Sequence, residues 1–262
     1  MPEHVHGDTT LHYEIVGDGP PLLLIAGLAS DGASWGPLLA ELPGRRLIVV
    51  DNRGSGRTRS AGPIRFADLV ADIASLLEAL EIGPVDVVGH SLGGAIGLWL
   101  AAEHPHLVKR LVTLTSGGTS PSKTVLLKDM ARLGFIVPAQ DWFRLLYQWL
   151  FSDGFFADET NVAAAAAASA AYAHRQSPGD FARQVAALAT VGPLARERIA
   201  CPVLAVSAER DLLAPPAAVD ALHGGIGRLE RREVPGVAHS IHWEAPQAVG
   251  AMIRGFLVMA DD

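Results

Sequence analysis

The sequence predicts an α/β fold with a mostly parallel, doubly wound sheet, and two patterns carry that prediction. Short apolar runs alternate with longer amphipathic runs along most of the chain, as in successive βαβ units whose strands are buried on both faces. The alternation stops at Gly117 and resumes after Arg198. With 262 residues, of which 49% are hydrophobic, the chain is long enough for one large core that carries a helical insertion.

The predicted elements follow in chain order. Seven apolar runs are candidate strands: Leu11–Val16, Leu22–Ala26, Leu47–Asp51, Val85–Gly89, Leu111–Thr115, Val203–Ser207 and Leu229–Val234. Apolar residues at helical spacing predict three helices of the core: Phe66–Leu80, Leu92–Glu103 and Pro246–Met259. Asp68, Asp72 and Glu78 are expected on the solvent face of the first helix. Residues 1–116 and 199–262 therefore form the predicted core domain, and residues 117–198 form the insertion.

The insertion is rich in aromatic residues. Eight of the sixteen aromatic side chains lie between Phe135 and Phe156. Four of them are candidates for an apolar wall of a binding pocket: Trp142, Phe143, Tyr147 and Phe151. Either Trp142 or Phe143 can lie near one helical face with Tyr147 and Phe151. Two interpretations stay open, a hydrophobic core for the insertion itself or a lid that lines the ligand pocket, and both can hold. Four basic residues of the insertion could instead bind a substrate carboxylate: Lys123, Lys128, Arg132 and Arg144.

Composition argues against several classes of protein. The formal net charge is −7 and no basic block is present, so a nucleic-acid partner is not expected. The longest apolar stretches, Leu22–Ala29 and Val162–Ala173, are shorter than the roughly 20 residues of a membrane-spanning helix. No secretory signal pattern opens the sequence, and Cys201 is the single cysteine, so a cytoplasmic protein is expected. The histidines lack the spacing of a closed metal site, and no metal or cofactor is expected. The oligomeric state stays open.

A candidate nucleophile lies at a strand-to-helix turn. The segment Gly89-His90-Ser91-Leu92-Gly93 has the Gly-x-Ser-x-Gly pattern, follows an apolar strand and runs directly into a predicted helix. A sharp turn there holds the serine clear of the sheet, and the small flanking glycines let strand and helix approach closely. Ser91 is therefore the predicted nucleophile, whereas the neighbouring His90 is expected to be structural.

The candidate acid and base follow the last two predicted strands. Asp211 lies on the loop after Val203–Ser207, with Glu209 as its near rival. His239 lies on the loop after Leu229–Val234, and two other histidines compete with it on chemistry alone: His223 and His242. A serine hydroxyl needs a base, and an imidazole needs a carboxylate to fix its tautomer. The predicted catalytic triad is therefore Ser91, Asp211 and His239.

These motifs together resemble the α/β-hydrolase superfamily over nearly the whole chain, and the most similar members are serine carboxylesterases and 3-oxoadipate enol-lactonases. The resemblance implies an α/β-hydrolase fold in which a helical lid is inserted after the sixth strand. It also implies an oxyanion hole formed by the backbone N–H groups of Leu28 and Leu92. The sequence reads Ala26-Gly27 where the family usually has a His-Gly pair, a change that removes a side chain and leaves the main-chain donor.

The expected reaction is cleavage of a small carboxylic ester or lactone through an acyl-enzyme, because position 91 is serine and not the aspartate of dehalogenases and epoxide hydrolases. Two alternatives stay open on the sequence. One is hydrolysis of a carbon–carbon bond in a β-diketone by the same triad. The other is a small-molecule receptor of the same fold with slow turnover. The partner expected in every case is a small molecule.

Overall fold

The computed structural model describes residues 2–258, so the predicted last helical residue, Met259, lies outside the described residues. Nine strands are present in this range: β1 (Glu3–His6), β2 (Thr9–Val16), β3 (Pro21–Ile25), β4 (Arg46–Val50), β5 (Arg59–Ser60), β6 (Val85–His90), β7 (Val108–Leu114), β8 (Val203–Ala208) and β9 (Leu229–Val234). The helices are α1 (Gly36–Leu39), α2 (Phe66–Leu80), α3 (Leu92–Glu103), α4 (Pro121–Leu133), α5 (Ala139–Leu150), α6 (Asp153–Phe156), α7 (Glu159–Ala171), α8 (Pro178–Leu188), α9 (Pro216–His223), α10 (Ile241–Glu244) and α11 (Pro246–Val258).

One sheet runs through the molecule in the order β1-β2-β4-β3-β6-β7-β8-β9, and β5 pairs with β2. Every pairing from β4 to β9 is parallel, and the pairings of β2 with β1, β4 and β5 are antiparallel. The predicted mostly parallel α/β fold is confirmed. The short strands β1 and β5 were not predicted. Burial on both faces holds for the inner strands, while the edge strand β9 exposes three consecutive residues, 231–233.

The two faces of the sheet hold two separate cores, which explains the apolar runs of the inner strands. Leu23 and Ile25 of β3 pack with apolar residues of α2 and α3, whereas Leu22 and Leu24 pack with α1 and α11. Alternate side chains of a strand point to opposite faces, so a doubly covered strand must be apolar at every position. Helices on both faces leave the carboxyl ends of the parallel strands as the open edge of the sheet.

Five helices, α4 to α8, lie between β7 and β8. Apart from the two-residue strand β5, β7 is the sixth strand along the chain, so these helices follow the sixth strand. They enclose a small apolar cluster of their own, made of Leu127, Met130, Trp142, Leu146, Phe181 and Val185. Gln184 of α8 joins them to the rest of the molecule, because its Nε2 donates to the carbonyl oxygen of Arg53 at 2.7 Å and to Ser55 Oγ at 2.9 Å.

The expected solvent face of α2 is wrong at Asp72. This side chain is buried and accepts hydrogen bonds from Arg53 Nε and Nη2, each at 2.8 Å, and a third contact of 2.8 Å joins it to His6 Nδ1. A buried carboxylate requires such partners, and both lie far from it in sequence. Glu78 is exposed and Asp68 is half-buried.

Candidate active site

Ser91 occupies the turn between β6 and α3, in a backbone conformation that few residues adopt. Its φ of 51° and ψ of −110° lie in a sparsely populated region, and its N–H donates to the carbonyl oxygen of Leu114 in the neighbouring strand at 2.8 Å. A Cβ at Gly93 would collide with the carbonyl oxygen of Ile25, and one at Gly89 would collide with the carbonyl oxygen of Gly93. Only glycine allows the helix to start this close to the strand.

Asp211 and His239 meet at the same edge of the sheet. His239 Nδ1 lies 2.7 Å from Asp211 Oδ2, and both residues are buried, with 2% and 3% of their surfaces exposed. The other carboxylate oxygen accepts the N–H groups of Leu213 and Ala214 at 2.8 Å each. A carboxylate can only accept, so Nδ1 carries the proton and Nε2 is left as a base.

The surroundings of Asp211 keep its side chain ionised. Burial alone would raise the pKa of its carboxyl, but the charge of His239, the hydrogen bond from its ring and the two main-chain N–H donors outweigh burial and hold the pKa below its usual range. The negative charge of Asp211 therefore faces the imidazole ring that it orients.

The rivals of these two residues lie elsewhere. Glu209 is exposed and accepts the N–H of Gly236 at 2.7 Å. His223 is buried, with Nε2 at 2.8 Å from Thr113 Oγ1 and Nδ1 at 2.8 Å from the carbonyl oxygen of Val219. The geometry brings Asp211 and His239 together and leaves Glu209 and His223 apart from them.

The loop that carries His239 is held by two donors, His90, which the sequence predicts to be structural, and Thr115, which sequence reasoning did not identify. His90 Nε2 lies 3.1 Å from the His239 carbonyl oxygen, and Thr115 Oγ1 donates to the same oxygen at 2.9 Å. The His90 ring is 5.0 Å from that of His239 and 4.3 Å from that of His242. These contacts join distant segments, and the sequence carries no local signal for them.

Both neighbouring histidines are held neutral. Burial lowers the pKa of His90 well below its usual value, and the adjacent His242 and His239 add to this. Burial and His239 lower the pKa of His242 to about 3. Its Nδ1 has no hydrogen-bond partner among residues 2–258. Among His90, His239 and His242, His239 is the histidine whose ring contacts a carboxylate, that of Asp211.

The two residues expected to supply the oxyanion donors, Leu28 and Leu92, line the same cavity as Ser91. Leu92 is the first residue of α3, and the N–H groups of a helix's first turn have no acceptor within the helix. The loop that carries Leu28 is fixed by Asn52, whose Nδ2 donates to the carbonyl oxygen of Ala26 at 2.9 Å. A Cβ at Gly27 would lie 2.9 Å from His90 Nδ1. The absence of a side chain at Gly27 therefore lets this loop pack against His90.

A cavity of about 1400 Å³ separates the carboxyl edge of the sheet from the helices α4 to α8. The residues of the core that line this cavity include Ser91, His239, Leu28 and Leu92. The residues of the insertion that line it include the four aromatic residues predicted from the sequence: Trp142, Phe143, Tyr147 and Phe151. Trp142 also donates Nε1 to the Met130 carbonyl oxygen at 2.8 Å within the cluster of the insertion. The aromatic residues therefore contribute to both the core of the insertion and the wall of the cavity.

The four basic residues of the insertion separate into two pairs. Lys123 and Lys128 line the cavity. Arg132 and Arg144 are absent from its wall, and each has an acidic neighbour, Asp129 at 3.8 Å and Glu159 at 3.5 Å. A role in binding substrate is thus open to the first pair only.

Neither a metal centre nor a membrane-spanning helix is found in the described chain. Across residues 2–258, no group of three or more His, Cys, Asp or Glu side chains could hold a metal ion. No helix in that range is long and apolar enough to cross a membrane.

Comparisons with known proteins agree with this architecture. A family model described as "alpha/beta hydrolase fold" matches residues 20–246. "Putative carbamate hydrolase RutD" of Agrobacterium fabrum is 28% identical over 266 residues, covering 96% of this chain and 99% of that protein. "Putative non-heme bromoperoxidase BpoC" of Mycobacterium tuberculosis is 31% identical over 260 residues, covering 94% and 97%. The solved enol-lactonase of Burkholderia xenovorans superposes with a TM-score of 0.85 at 25% identity, covering 98% and 99%.

Proposed function

The chain belongs to the alpha/beta hydrolase fold family, and we propose that this hydrolase cleaves a carboxylic ester or lactone through an acyl-enzyme formed on Ser91. One observation carries the proposal. A buried imidazole, fixed by a 2.7 Å hydrogen bond between His239 and Asp211, shares a cavity with a serine on a strained strand-to-helix turn. This combination supplies a base and a nucleophile in one pocket.

The reaction proceeds in two steps. Ser91 Oγ gives its proton to His239 Nε2 and bonds to the carbonyl carbon, whose oxygen takes the electron pair. The C–O bond to the alcohol then breaks, and the leaving oxygen takes the proton from His239. In the second step a water molecule, deprotonated by the same nitrogen, bonds to the acyl carbon. The C–O bond to Ser91 then breaks, Ser91 Oγ takes the proton back from His239, and the acid is released. Asp211 stays ionised throughout and stabilises the imidazolium.

The negative oxygen that forms in both steps needs donors. The backbone N–H groups of Leu28 and Leu92 are the proposed pair, and removal of one such donor typically slows an enzyme by about 100- to 1000-fold. Leu92 opens α3, so the positive end of that helix also faces the oxyanion.

We assign the helices between β7 and β8 the role of a lid, with residues 117–198 as its boundaries. Its aromatic residues lie across the cavity from Ser91, and Trp142, Phe143, Tyr147 and Phe151 are the proposed apolar contacts of the substrate. An apolar wall with few polar groups is typical of small-molecule sites.

Labelling and turnover test the proposal together. A fluorophosphonate should modify Ser91, detected by peptide mass mapping, and the label should be absent from Ser91→Ala. The wild type should then release product from 4-nitrophenyl esters over many turnovers, whereas a receptor with slow turnover would stop after one equivalent. Comparing kcat/KM across a panel of esters, lactones, a carbamate and β-diketones identifies which type of bond the protein cleaves. Labelling that persists in Ser91→Ala, or preferred cleavage of a β-diketone, contradicts the proposal.

A further inference from the structure

The cavity contains a positive charge that the triad does not use. Four basic side chains line the wall: Lys123, Lys128, Arg175 and Arg196. Lys128 and Arg175 are exposed, and Arg196 Nε donates to the carbonyl oxygen of Leu222 at 2.8 Å. Lys123 is half-buried, and no hydrogen bond or ion pair of its ammonium group is found within residues 2–258.

The position of Lys123 does not favour a cation by itself. The residue lies in the first turn of α4, where its backbone N–H donates to the N-cap hydroxyl of Ser120 at 3.2 Å and where no acidic side chain is present. The N-terminus of a helix carries a partial positive charge, so a lysine there is electrostatically unfavourable. Burial also lowers the pKa of its ammonium group, while the charge of Asp211 acts in the opposite direction.

Asp211 does not form an ion pair with the ammonium group of Lys123. Its two carboxylate oxygens are occupied by His239 Nδ1 and by the N–H groups of Leu213 and Ala214. The positive charge of Lys123 therefore remains available within the cavity.

We propose that the ammonium group of Lys123 binds a carboxylate carried by the substrate. A carboxylate beside Lys123 would accept a charge-assisted hydrogen bond from the ammonium, which has no other partner among residues 2–258. The substrate class is then an ester or lactone that also bears a free acid. The inference rests on the proposed function, since it concerns the substrate of the same site.

The aromatic wall does not oppose this assignment. The four aromatic residues lie on α5 and at its C-terminal end, whereas Lys123 lies on α4. At about 1400 Å³ the cavity exceeds the range of roughly 300 to 1,000 Å³ typical of small-molecule pockets, so an apolar group and a carboxylate can occupy separate parts of it. A carboxylate without a partner would be disfavoured in the apolar part.

Two pairs of substrates test the proposal, because the acid can lie on either side of the cleaved bond. Mono-4-nitrophenyl glutarate is compared with 4-nitrophenyl valerate, which has the same acyl length, and 3-acetoxybenzoate is compared with phenyl acetate. In at least one pair, Lys123→Met should lower the ratio of kcat/KM for the acid to kcat/KM for the neutral ester by about 10- to 100-fold, as expected for loss of a charged hydrogen bond. Lys123→Arg should recover part of the ratio.

Arg132→Met is the matched control, since it removes a positive charge from the same helix at an exposed position away from the cavity wall. Its ratio should equal that of the wild type. If Lys123→Met leaves both ratios unchanged, whether or not the absolute rates fall, the carboxylate assignment is overturned. Turnover of either member of a pair by the wild type tests the proposed function separately, because the absence of turnover of both acidic and neutral esters would overturn ester hydrolysis itself.

Discussion

The sheet with its flanking helices and the insertion differ in the size of their buried apolar cores. In the sheet, Ser91 and His239 are held by main-chain or side-chain hydrogen bonds to neighbouring strands or loops. The insertion has a satellite cluster of six buried residues, and it exposes Phe135 and Ile136 with 67% and 63% of their surfaces in solvent. The proposed reacting groups lie on the part with the larger core, and the proposed substrate contacts lie on the insertion. Changes in the two parts should therefore have different effects.

The largest expected effect lies in the sheet. Asp211→Asn keeps the size of the side chain but favours the wrong imidazole tautomer, so kcat should fall by about four orders of magnitude while the fold is retained. Steady-state kinetics with a 4-nitrophenyl ester and circular dichroism measure the two properties. Glu209→Gln is the matched control, because this exposed carboxylate contacts Gly236 instead, and its effect should be mild. Reversed results would move the acid to Glu209.

The same division explains what the sequence could predict. Ser91, Asp211 and His239 were singled out because each follows an apolar strand in a recognisable local motif, and the carboxyl ends of parallel strands converge. The parallel sheet followed from the alternation of apolar runs. The contacts of Asp72, Thr115 and Gln184 depend on side chains distant in sequence, for which a single chain carries no local signal. The strands β1 and β5 are too short to give a periodic pattern.

The second prediction concerns the hydrogen bonds that connect the insertion to the sheet. Gln184 is fully buried and its amide donates to two acceptors of the loop after β4. Gln184→Leu would remove the donor to the Arg53 carbonyl oxygen and leave Ser55 Oγ with only the 3.4 Å contact from Gln176 Nε2, at a cost of about 1–3 kcal/mol in the free energy of unfolding. Urea unfolding measures the loss, and limited proteolysis should show earlier cleavage within residues 117–198. Gln176→Leu, at a half-buried site with a bond of 2.6 Å to Gly54, should have a smaller effect. Equal stability of wild type and Gln184→Leu would show that this bond does not hold the insertion.

Acid should weaken the part of the molecule that carries the triad. The pKa of His242 is about 3 when folded and near 6.5 when unfolded, so between these values the unfolded chain binds one more proton. The free energy of unfolding should therefore fall, as pH falls through this window, by up to about 1.4 kcal/mol per pH unit from this residue. His242→Phe removes the contribution, and urea unfolding between pH 7 and 4 should show a shallower dependence. His106→Phe, at an exposed site, should keep the wild-type dependence. An unchanged slope in His242→Phe would contradict the assignment.

The smallest expected effect tests the aromatic wall. If Phe143 contacts the acyl chain, each added CH₂ contributes about 0.8 kcal/mol, and kcat/KM should rise about fourfold per carbon along a series of neutral 4-nitrophenyl esters until the pocket is full. Phe143→Ala should flatten this series because it removes part of the apolar surface, while kcat for the acetate ester changes little. Phe135→Ala is the matched control, since this exposed aromatic of the same insertion is absent from the cavity wall. Rates that ignore chain length in the wild type would show that the aromatic residues serve only the core of the insertion. An equal loss in both variants would point to a general loosening of the insertion instead.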